Sequence, residues 1–182
     1  MPAAKAGAAT ALLGDRLILA GGTYWEKGQK HWLRQVDLYD VRRDEWRSGP
    51  PLPLPLAYGA FVGSDRGLEV LGGWDGKHLD RQCWLLDLNM GAWTPSGTLP
   101  DSRIYGRAEG LGGVLYLLGG SSDAGDLSRA TDTVFATNAR NAPTWKTRAP
   151  MPSGPRALRM PPPWPRGISS SSVDVAAPPM GT

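Results

Sequence analysis

The sequence is poor in the residues that carry redox and metal chemistry. It has one cysteine, Cys83, and two histidines, His31 and His78, among 182 residues. A lone cysteine cannot form an internal disulfide, so nothing calls for an oxidising compartment, and we expect a cytoplasmic location. Common metal sites need three or more converging ligands, and the glycine-rich motifs that hold nucleotides are also missing. We therefore expect no cofactor.

Long apolar runs and clusters of basic residues are missing as well. No run approaches the roughly 18 apolar residues of a membrane span. Asp15 and Arg16 interrupt the N-terminal apolar segment, which argues against a signal peptide and favours the first strands of the fold. The formal net charge is +3, and acidic residues are interleaved with basic ones, as in RRDEWR at 42–47. We expect neither a membrane nor a nucleic-acid partner.

Glycine, proline and tryptophan are abundant instead. The chain has 24 Gly, 17 Pro and 8 Trp, but only 2 Phe. The glycines and prolines are dispersed between short apolar runs, a pattern typical of an all-β protein with many turns. A large aromatic residue that recurs at fixed intervals indicates a packing position that each copy of a repeat must fill.

A unit of about 50 residues occurs three times. In each unit an apolar strand ends in two glycines, a second strand follows, and a tryptophan and a Pro-containing segment close the unit. The Gly-Gly pairs are 51 and 47 residues apart, and the tryptophans are 47 and 52 residues apart. The glycine-terminated strands are RLILAGG at 16–22, LEVLGG at 68–73 and LYLLGG at 115–120; the second strands are QVDLYDV at 35–41, CWLLDLN at 83–89 and DTVFATN at 132–138; the tryptophans are Trp46, Trp93 and Trp145.

One more candidate strand precedes the glycine-terminated strand in the later units, LAYGAFV at 56–62 and IYGRAEG at 104–110. Four short strands per unit make one blade of an antiparallel propeller. The glycine pair permits a tight turn and the close approach of neighbouring backbone. The tryptophan is expected to fill the space between neighbouring blades.

The order of apolar strand, Gly-Gly, acidic-aromatic strand, Trp and Leu-Pro or Met-Pro resembles the kelch repeat over about residues 5–155. This resemblance implies an all-β fold of kelch-type β-propeller blades, each with four antiparallel strands. We place a partial propeller in residues 1–155, with blades at about 5–50, 51–98 and 99–152. The third copy departs most, because DTVFATN lacks the acidic residue after the second strand and TNARNAPTW at 137–145 indicates a longer turn.

The chain does not complete a fourth unit. GPRALRM at 154–160 begins another repeat, but a Pro- and Ser-rich stretch follows in place of a glycine-terminated strand. We interpret residues 156–182 as the start of an incomplete repeat and a disordered tail.

Three blades are too few for a closed ring, because propellers have four to eight. An incomplete ring leaves blade faces and apolar surface exposed to water. We weigh three alternatives: the chain is a truncated or fragmentary gene product, it pairs with a second copy or another half to close a ring, or it is an open stack of blades. We favour the first two, and a homodimer that covers the open faces is among the expected partners.

The resemblance also implies a recognition surface. In kelch-like propellers the loops after the Gly-Gly pairs and the segments entering the innermost strands gather at one rim. We predict a non-catalytic protein-protein interaction module that binds a protein partner through this rim, which is rich in the aromatic and arginine residues found at interaction hot spots. The positions carried over are Tyr24, Trp25 and His31; Trp74, Asp75 and His78; Ser121, Ser122 and Asp123; and Arg103 and Arg156 before the innermost strands, where the first such junction has Leu56.

An alternative is a fragment of a propeller enzyme, because kelch-like propellers include copper oxidases resembling galactose oxidase and isomerases resembling sialic-acid mutarotases. A copper site of that kind needs two tyrosines and two histidines, with Tyr24, Tyr58 and Tyr105 as candidates. Its tyrosine-cysteine crosslink would require Cys83, which lies in a strand away from those loops. The polar run WDGKHLD at 74–80 is interpreted as a turn, so no catalytic residue is predicted.

Overall fold

The computed structural model describes residues 4–64, 66–87, 89, 91–138 and 144–152. Among these residues the chain is all β, with one 3-10 turn at Leu127–Arg129 and no α-helix. None of them forms a helix with the length and apolar character needed to cross a bilayer.

The strands follow the chain in three groups. The first comprises β1 (Ala9–Leu13), β2 (Arg16–Ala20), β3 (Thr23–Glu26), β4 (Gln29–Trp32), β5 (Val36–Asp40) and β6 (Glu45–Ser48); the second comprises β7 (Ala60–Ser64), β8 (Gly67–Trp74), β9 (Leu79–Asp87) and β10 (Ala92–Thr98); the third comprises β11 (Arg107–Leu111), β12 (Val114–Leu118), β13 (Val134–Asn138) and β14 (Lys146–Arg148).

Each group forms one four-stranded antiparallel sheet, which we call a blade. Blade 1 has the order β1-β2-β5-β6, blade 2 the order β7-β8-β9-β10 and blade 3 the order β11-β12-β13-β14. The strands β3 and β4 form a separate hairpin inserted after the first Gly-Gly pair. The expected all-β blades of four antiparallel strands are confirmed. The hairpin was not anticipated, because its residues were interpreted as a loop.

The first strands β1, β7 and β11 are the innermost strands, and β7 packs against both of the others. Alternating side chains of blade 2 then face blade 1 on one side and blade 3 on the other. One buried cluster joins blades 1 and 2 and includes Ala20, Val36, Leu68 and Val70. A second cluster joins blades 2 and 3. The core therefore lies between the blades, as in a stack of sheets.

The Gly-Gly pairs allow neighbouring blades to meet backbone to backbone. Gly21 has a φ of 68°, in the left-handed region that favours glycine. A β-carbon at Gly21 would collide with the carbonyl oxygen of Leu56 in the segment that enters blade 2. Gly22 donates a backbone hydrogen bond to that same oxygen, at 2.8 Å. The two glycines thus fix the contact between consecutive blades.

Candidate functional site

The β3–β4 hairpin stands on the rim where the Gly-Gly loops gather. Its two-residue turn has Lys27 at a φ of 49° and Gly28 at 77°, the positive values that a type I′ hairpin turn needs. Tyr24 and His31 lie opposite each other and stack, with ring centroids 4.8 Å apart. Because side chains alternate along a strand, the other face of the hairpin carries Thr23, Trp25, Lys30 and Trp32.

That second face meets the aromatic side chains of Tyr58, from the entry to blade 2, and Trp74, from the end of β8. The ammonium nitrogen of Lys30 lies 4.4 Å from the ring centroid of Trp32, 4.8 Å from that of Tyr58 and 5.8 Å from that of Trp74. These are cation–π distances. Tyr105 extends the group, with its ring centroid 5.2 Å from that of Tyr58. We call Lys30, Trp32, Tyr58, Trp74 and Tyr105 the Lys30 cluster.

The two tyrosines of the Lys30 cluster hold unusual backbone conformations. Tyr58 has a φ of 62° and Tyr105 a φ of 58°, which cost about 1–2 kcal/mol each for a residue with a β-carbon. Gly7 precedes β1 as the tyrosines precede β7 and β11, and has a φ of 66°. The amide of Tyr58 donates to the Gly7 carbonyl at 2.9 Å, and that of Tyr105 donates to the Tyr58 carbonyl at 2.8 Å. This backbone ladder places the tyrosine rings at the rim, and strain of this kind is often found at functional sites.

The electrostatics of the Lys30 cluster distinguish its tyrosines. Burial opposes ionisation of Tyr58, but hydrogen bonds from Lys30 and Thr23 and the charge of Lys30 outweigh it and hold the pKa of Tyr58 below its ordinary value. The Thr23 hydroxyl lies 3.2 Å from the Tyr58 hydroxyl. Burial, followed by the neighbouring Tyr58, raises the pKa of Tyr105. The cluster is thus a partly exposed group of rings around one cation, with a phenol that ionises more readily than usual.

Several of the residues predicted to form the binding rim lie in or beside the Lys30 cluster. Trp74 is a member, and its ring centroid is 5.1 Å from that of Trp32. Trp25 is 68% exposed and lies directly across the hairpin from Lys30. Tyr24 and His31 are placed on the opposite hairpin face, where they contact each other. The structure therefore brings the blade 1 and blade 2 residues of the prediction to one rim.

The other polar residues of the predicted binding rim mainly stabilise turns through hydrogen bonds. The Asp75 carboxylate accepts from the backbone amides of Lys77 and His78 at 2.7 and 2.6 Å. Although burial opposes it, these hydrogen bonds and the His78 side chain lower the pKa of Asp75. In blade 3, Ser121 and Asp123 form a similar turn, because the Asp123 amide donates to the Ser121 hydroxyl at 3.0 Å. Ser122 lies between them and is partly buried.

Arg103 differs from the expectation of a binding residue on the rim surface. It is only 4% exposed, and its guanidinium lies 5.2 Å from the ring centroid of Phe135. Its Nη1 also donates to Asp101 at 2.8 Å. A side chain held in this way is not available to a partner, so Arg103 is a residue of the blade 3 fold. Arg156, the other predicted arginine, lies outside the described residues.

The position of Arg103 has counterparts in the other blades. The next residues, Ala6, Ala57 and Ile104, make matching bridges to the strand or loop that follows each Gly-Gly pair, so Lys5 and Leu56 are equivalent to Arg103. Lys5 forms an ion pair with Asp37, at 2.6 Å, and both side chains are fully buried. By strand register, Asp37 occupies the place of Phe135. The sequence interpretation missed the equivalence of Lys5, because it took the segment at Leu56 as the first one that enters an innermost strand.

The sequence interpretation missed four members of the Lys30 cluster as binding residues, namely Lys30, Trp32, Tyr58 and Tyr105. A signal for the tyrosines was present, because the dipeptide Tyr-Gly recurs at 58–59 and 105–106. Lys30 and Trp32 gave no such signal, because they belong to the inserted hairpin, which blades 2 and 3 lack.

The described residues offer little for metal or thiol chemistry. Among the described ranges there is no group of three or more His, Cys, Asp or Glu side chains placed to hold a metal ion. Cys83 lies in β9 and is fully buried between blades 2 and 3. Burial raises the pKa of the Cys83 thiol to about 12, so this thiol is a packing residue.

Comparisons with known proteins agree with this architecture. Residues 4–53 match the family model described as Kelch motif. Kelch repeat and BTB domain-containing protein 12 of Danio rerio is 32% identical over 117 residues, covering 59% of this chain and 19% of that protein. The Homo sapiens protein of the same name is 29% identical over 156 residues, covering 79% and 25%. The chain thus spans a fifth to a quarter of the length of these curated relatives.

A solved structure gives the same fold. The structure titled "Structure of YjhT" aligns with a TM-score of 0.71 at 17% identity, over 83% of this chain and 54% of that chain. At this identity the likeness concerns the fold alone. The fold of that solved structure is a β-propeller.

Proposed function

We propose that this chain, which is built of kelch-type propeller blades, is a non-catalytic protein-interaction module that binds a protein partner at the rim carrying the Lys30 cluster. The relatives share its kelch repeats, and repeat blades of this kind present loops at their ends that are free to vary while the strands keep the fold.

The observation that supports this proposal is the composition and exposure of the rim. Four aromatic rings of the Lys30 cluster are partly buried, and Trp25 beside them is 68% exposed. Tryptophan, tyrosine and arginine dominate the residues that contribute most to protein-protein binding, because they bury a large area at a small entropic cost. A partner that covers Trp25 would exclude water from Lys30 at the same time.

Lys30 provides the rim with a positively charged hydrogen-bond donor. Among the described residues no carboxylate lies within ion-pair distance of its ammonium, which faces rings and the Tyr58 hydroxyl. This ammonium can therefore donate to an acceptor group of the partner. The hydrogen bond between Lys30 and the partner would become stronger as the partner displaces water, since a hydrogen bond from a charged donor is stronger at low dielectric.

Site-specific photocrosslinking tests the proposal. A photoreactive amino acid is placed at Trp25, and in a second protein at Arg43, which lies on the exposed β5–β6 turn at the opposite end of blade 1. Crosslinked proteins are captured from cells and identified by mass spectrometry. We expect a protein that crosslinks from position 25 and not from position 43.

A matched pair of charge reversals provides the control. Lys30→Glu should abolish the crosslink from position 25. Lys27→Glu, which makes the same change on the exposed hairpin turn, should leave it intact. Equal capture from positions 25 and 43, or equal capture by the two charge variants, would show that the rim is not the binding surface.

A further inference from the structure

One face of the β3–β4 hairpin carries a positive charge that no described acidic side chain neutralises. Lys30 is half-buried in β4, and its ammonium faces the rings of Trp32, Tyr58 and Trp74. Aromatic rings attract a cation through their electron-rich faces, but they have no net charge and leave that of the cation in place. The Lys30 cluster therefore presents one positive charge at the rim.

The two acidic residues closest to this charge in the hairpin and in blade 2 are placed or bonded elsewhere. Glu26 belongs to the hairpin, but the alternation of side chains along β3 puts it on the face away from Lys30. Asp75 follows the cluster residue Trp74, but its carboxylate accepts from two backbone amides of its own turn, at 2.7 and 2.6 Å. The charge of Lys30 is thus left for a group from outside the described chain.

The surroundings of Lys30 favour negative charge. The Thr23 hydroxyl lies 3.2 Å from the Tyr58 hydroxyl, at the edge of the cluster. Burial raises the pKa of Tyr58, but hydrogen bonds from Lys30 and Thr23 and the charge of Lys30 outweigh burial and lower this pKa overall. An environment that favours the phenolate also favours a carboxylate brought to the same place, because both are anions in the same field.

An apolar anchor lies directly beside this charge. Trp25 is paired with Lys30 across the hairpin, and directly opposed residues share one face, with β-carbons about 4.5–5.5 Å apart. Trp25 is 68% exposed. A partner that contacts Lys30 would therefore cover part of the Trp25 ring as well. The rim offers two adjacent contact points, one cationic and one apolar.

The composition of the Lys30 cluster distinguishes a carboxylate from other charged groups. Phosphate groups are typically held by clusters of arginines, and Arg103, the described arginine predicted for this rim, is 4% exposed and packs on Phe135. A cationic group would meet rings that already hold the Lys30 ammonium, and the two positive charges would repel each other. A single carboxylate matches the charge that is present.

We infer that the partner segment bound at this rim carries an aspartate or glutamate that pairs with Lys30 and, next to it, an apolar side chain that covers Trp25. This inference rests on the proposed function and adds the chemical class of the partner. Because Lys30 and Trp25 are neighbours, the two partner side chains must also be neighbours on one face. They lie two residues apart in an extended segment, or three to four residues apart in a helix.

Selection from a random peptide library tests the inference. Short peptides displayed on phage are first depleted on Trp25→Ala, which removes those that bind away from the rim, and are then selected on the unmodified chain. We expect the enriched peptides to carry an aspartate or glutamate near an apolar residue. Replacing that acidic residue by its amide should weaken binding by about 10- to 100-fold, measured by fluorescence anisotropy, because a hydrogen bond to a charged group is lost.

A double-mutant cycle assigns the acidic side chain to Lys30. On Lys30→Met the acid and amide forms of a peptide should bind equally. On Lys27→Met, which removes a charge from the exposed hairpin turn, the acid form should keep its advantage. The acid-to-amide change is made in the peptide, so its effect on binding to the unmodified chain does not depend on how the protein variants fold.

Each of four results would overturn the inference: no rim-dependent peptide, rim-dependent peptides without an acidic residue, acid and amide forms of equal affinity, or an acid preference that Lys30→Met leaves unchanged. The photocrosslink from position 25 tests the rim itself and does not require an acidic partner. A crosslink together with any of these four results would retain the rim as the binding surface and reject the acidic partner.

Discussion

The indole nitrogen of Trp93 in blade 2 donates a hydrogen bond to the carbonyl oxygen of Pro50, at 2.9 Å, in the segment that leaves blade 1. The ring also packs against the buried cluster between these blades. Trp93 therefore joins its own blade to the preceding one, by both apolar contact and a directed hydrogen bond.

We predict that Trp93→Phe lowers the free energy of unfolding by about 1–2 kcal/mol, because it removes one hydrogen bond and leaves the Pro50 carbonyl without its donor. Urea denaturation followed by circular dichroism measures the change. Trp25→Phe is the matched control, since Trp25 is 68% exposed, and it should change stability by less than about 0.5 kcal/mol. Equal effects of the two substitutions would contradict the role of Trp93.

The buried ion pair of Lys5 and Asp37 gives a second prediction. Both side chains are fully buried, and the charged atoms lie 2.6 Å apart. Lys5→Leu leaves the Asp37 carboxylate with the hydrogen bond from the Gln35 amide but without a counter-charge, and should cost about 3–5 kcal/mol. Adding Asp37→Leu should recover most of that loss, because an apolar pair can replace a buried ion pair at little cost. Leu56 already occupies the equivalent place in blade 2. A double variant no more stable than Lys5→Leu would show that the charges are not coupled.

The repeat and its blades could be predicted from sequence because they depend on periodic features. The Gly-Gly pairs, the apolar strands and the tryptophans recur at nearly constant spacing, and each is required by packing that every blade repeats. The surface chemistry could not be predicted in the same way. Lys30 and Trp32 occur in an insertion found in one blade, and Arg103 is a charged residue whose burial depends on Phe135, which is 32 residues away in sequence.

Glu69 gives a prediction about pH. It is 2% exposed in β8 and accepts a hydrogen bond from the Ser96 hydroxyl at 3.4 Å. Burial, opposed by Arg66 and Ser96, raises the pKa of Glu69 above its ordinary value of 4.5. The folded state therefore keeps a proton that the unfolded chain releases, so this carboxyl makes the fold less stable as pH rises from 4.5 through the folded-state pKa.

Glu69→Gln should remove this dependence, because the amide keeps an acceptor for Ser96 and does not ionise. Relative to the wild type, the variant should gain stability as pH rises from about 4 to about 8. Urea denaturation at several pH values measures the difference. The exposed Glu45→Gln provides the control, and a difference that is constant with pH would contradict the assigned pKa.

The Lys30 cluster gives a prediction that ultraviolet titration can check. Because Lys30 helps to lower the pKa of Tyr58, Lys30→Met should raise the midpoint of Tyr58 ionisation. The contribution of Tyr58 is isolated by subtracting the titration of the same protein carrying Tyr58→Phe. Lys27→Met should leave the midpoint unchanged, since Lys27 is exposed on the turn. An equal shift in both variants would indicate a general charge effect instead of a local contact.

The burial of blade 2 on both faces also determines how the protein opens. Each blade is a continuous stretch of chain that contacts only its neighbours, so its stability behaves like that of a linear array, in which the outer units fray before the central one. Nearly every residue of β8 is buried, and its amide protons should exchange with solvent more slowly than those of blades 1 and 3. Transient opening of the outer blades would leave the central sheet folded, and its protected amides would report the global unfolding of the chain.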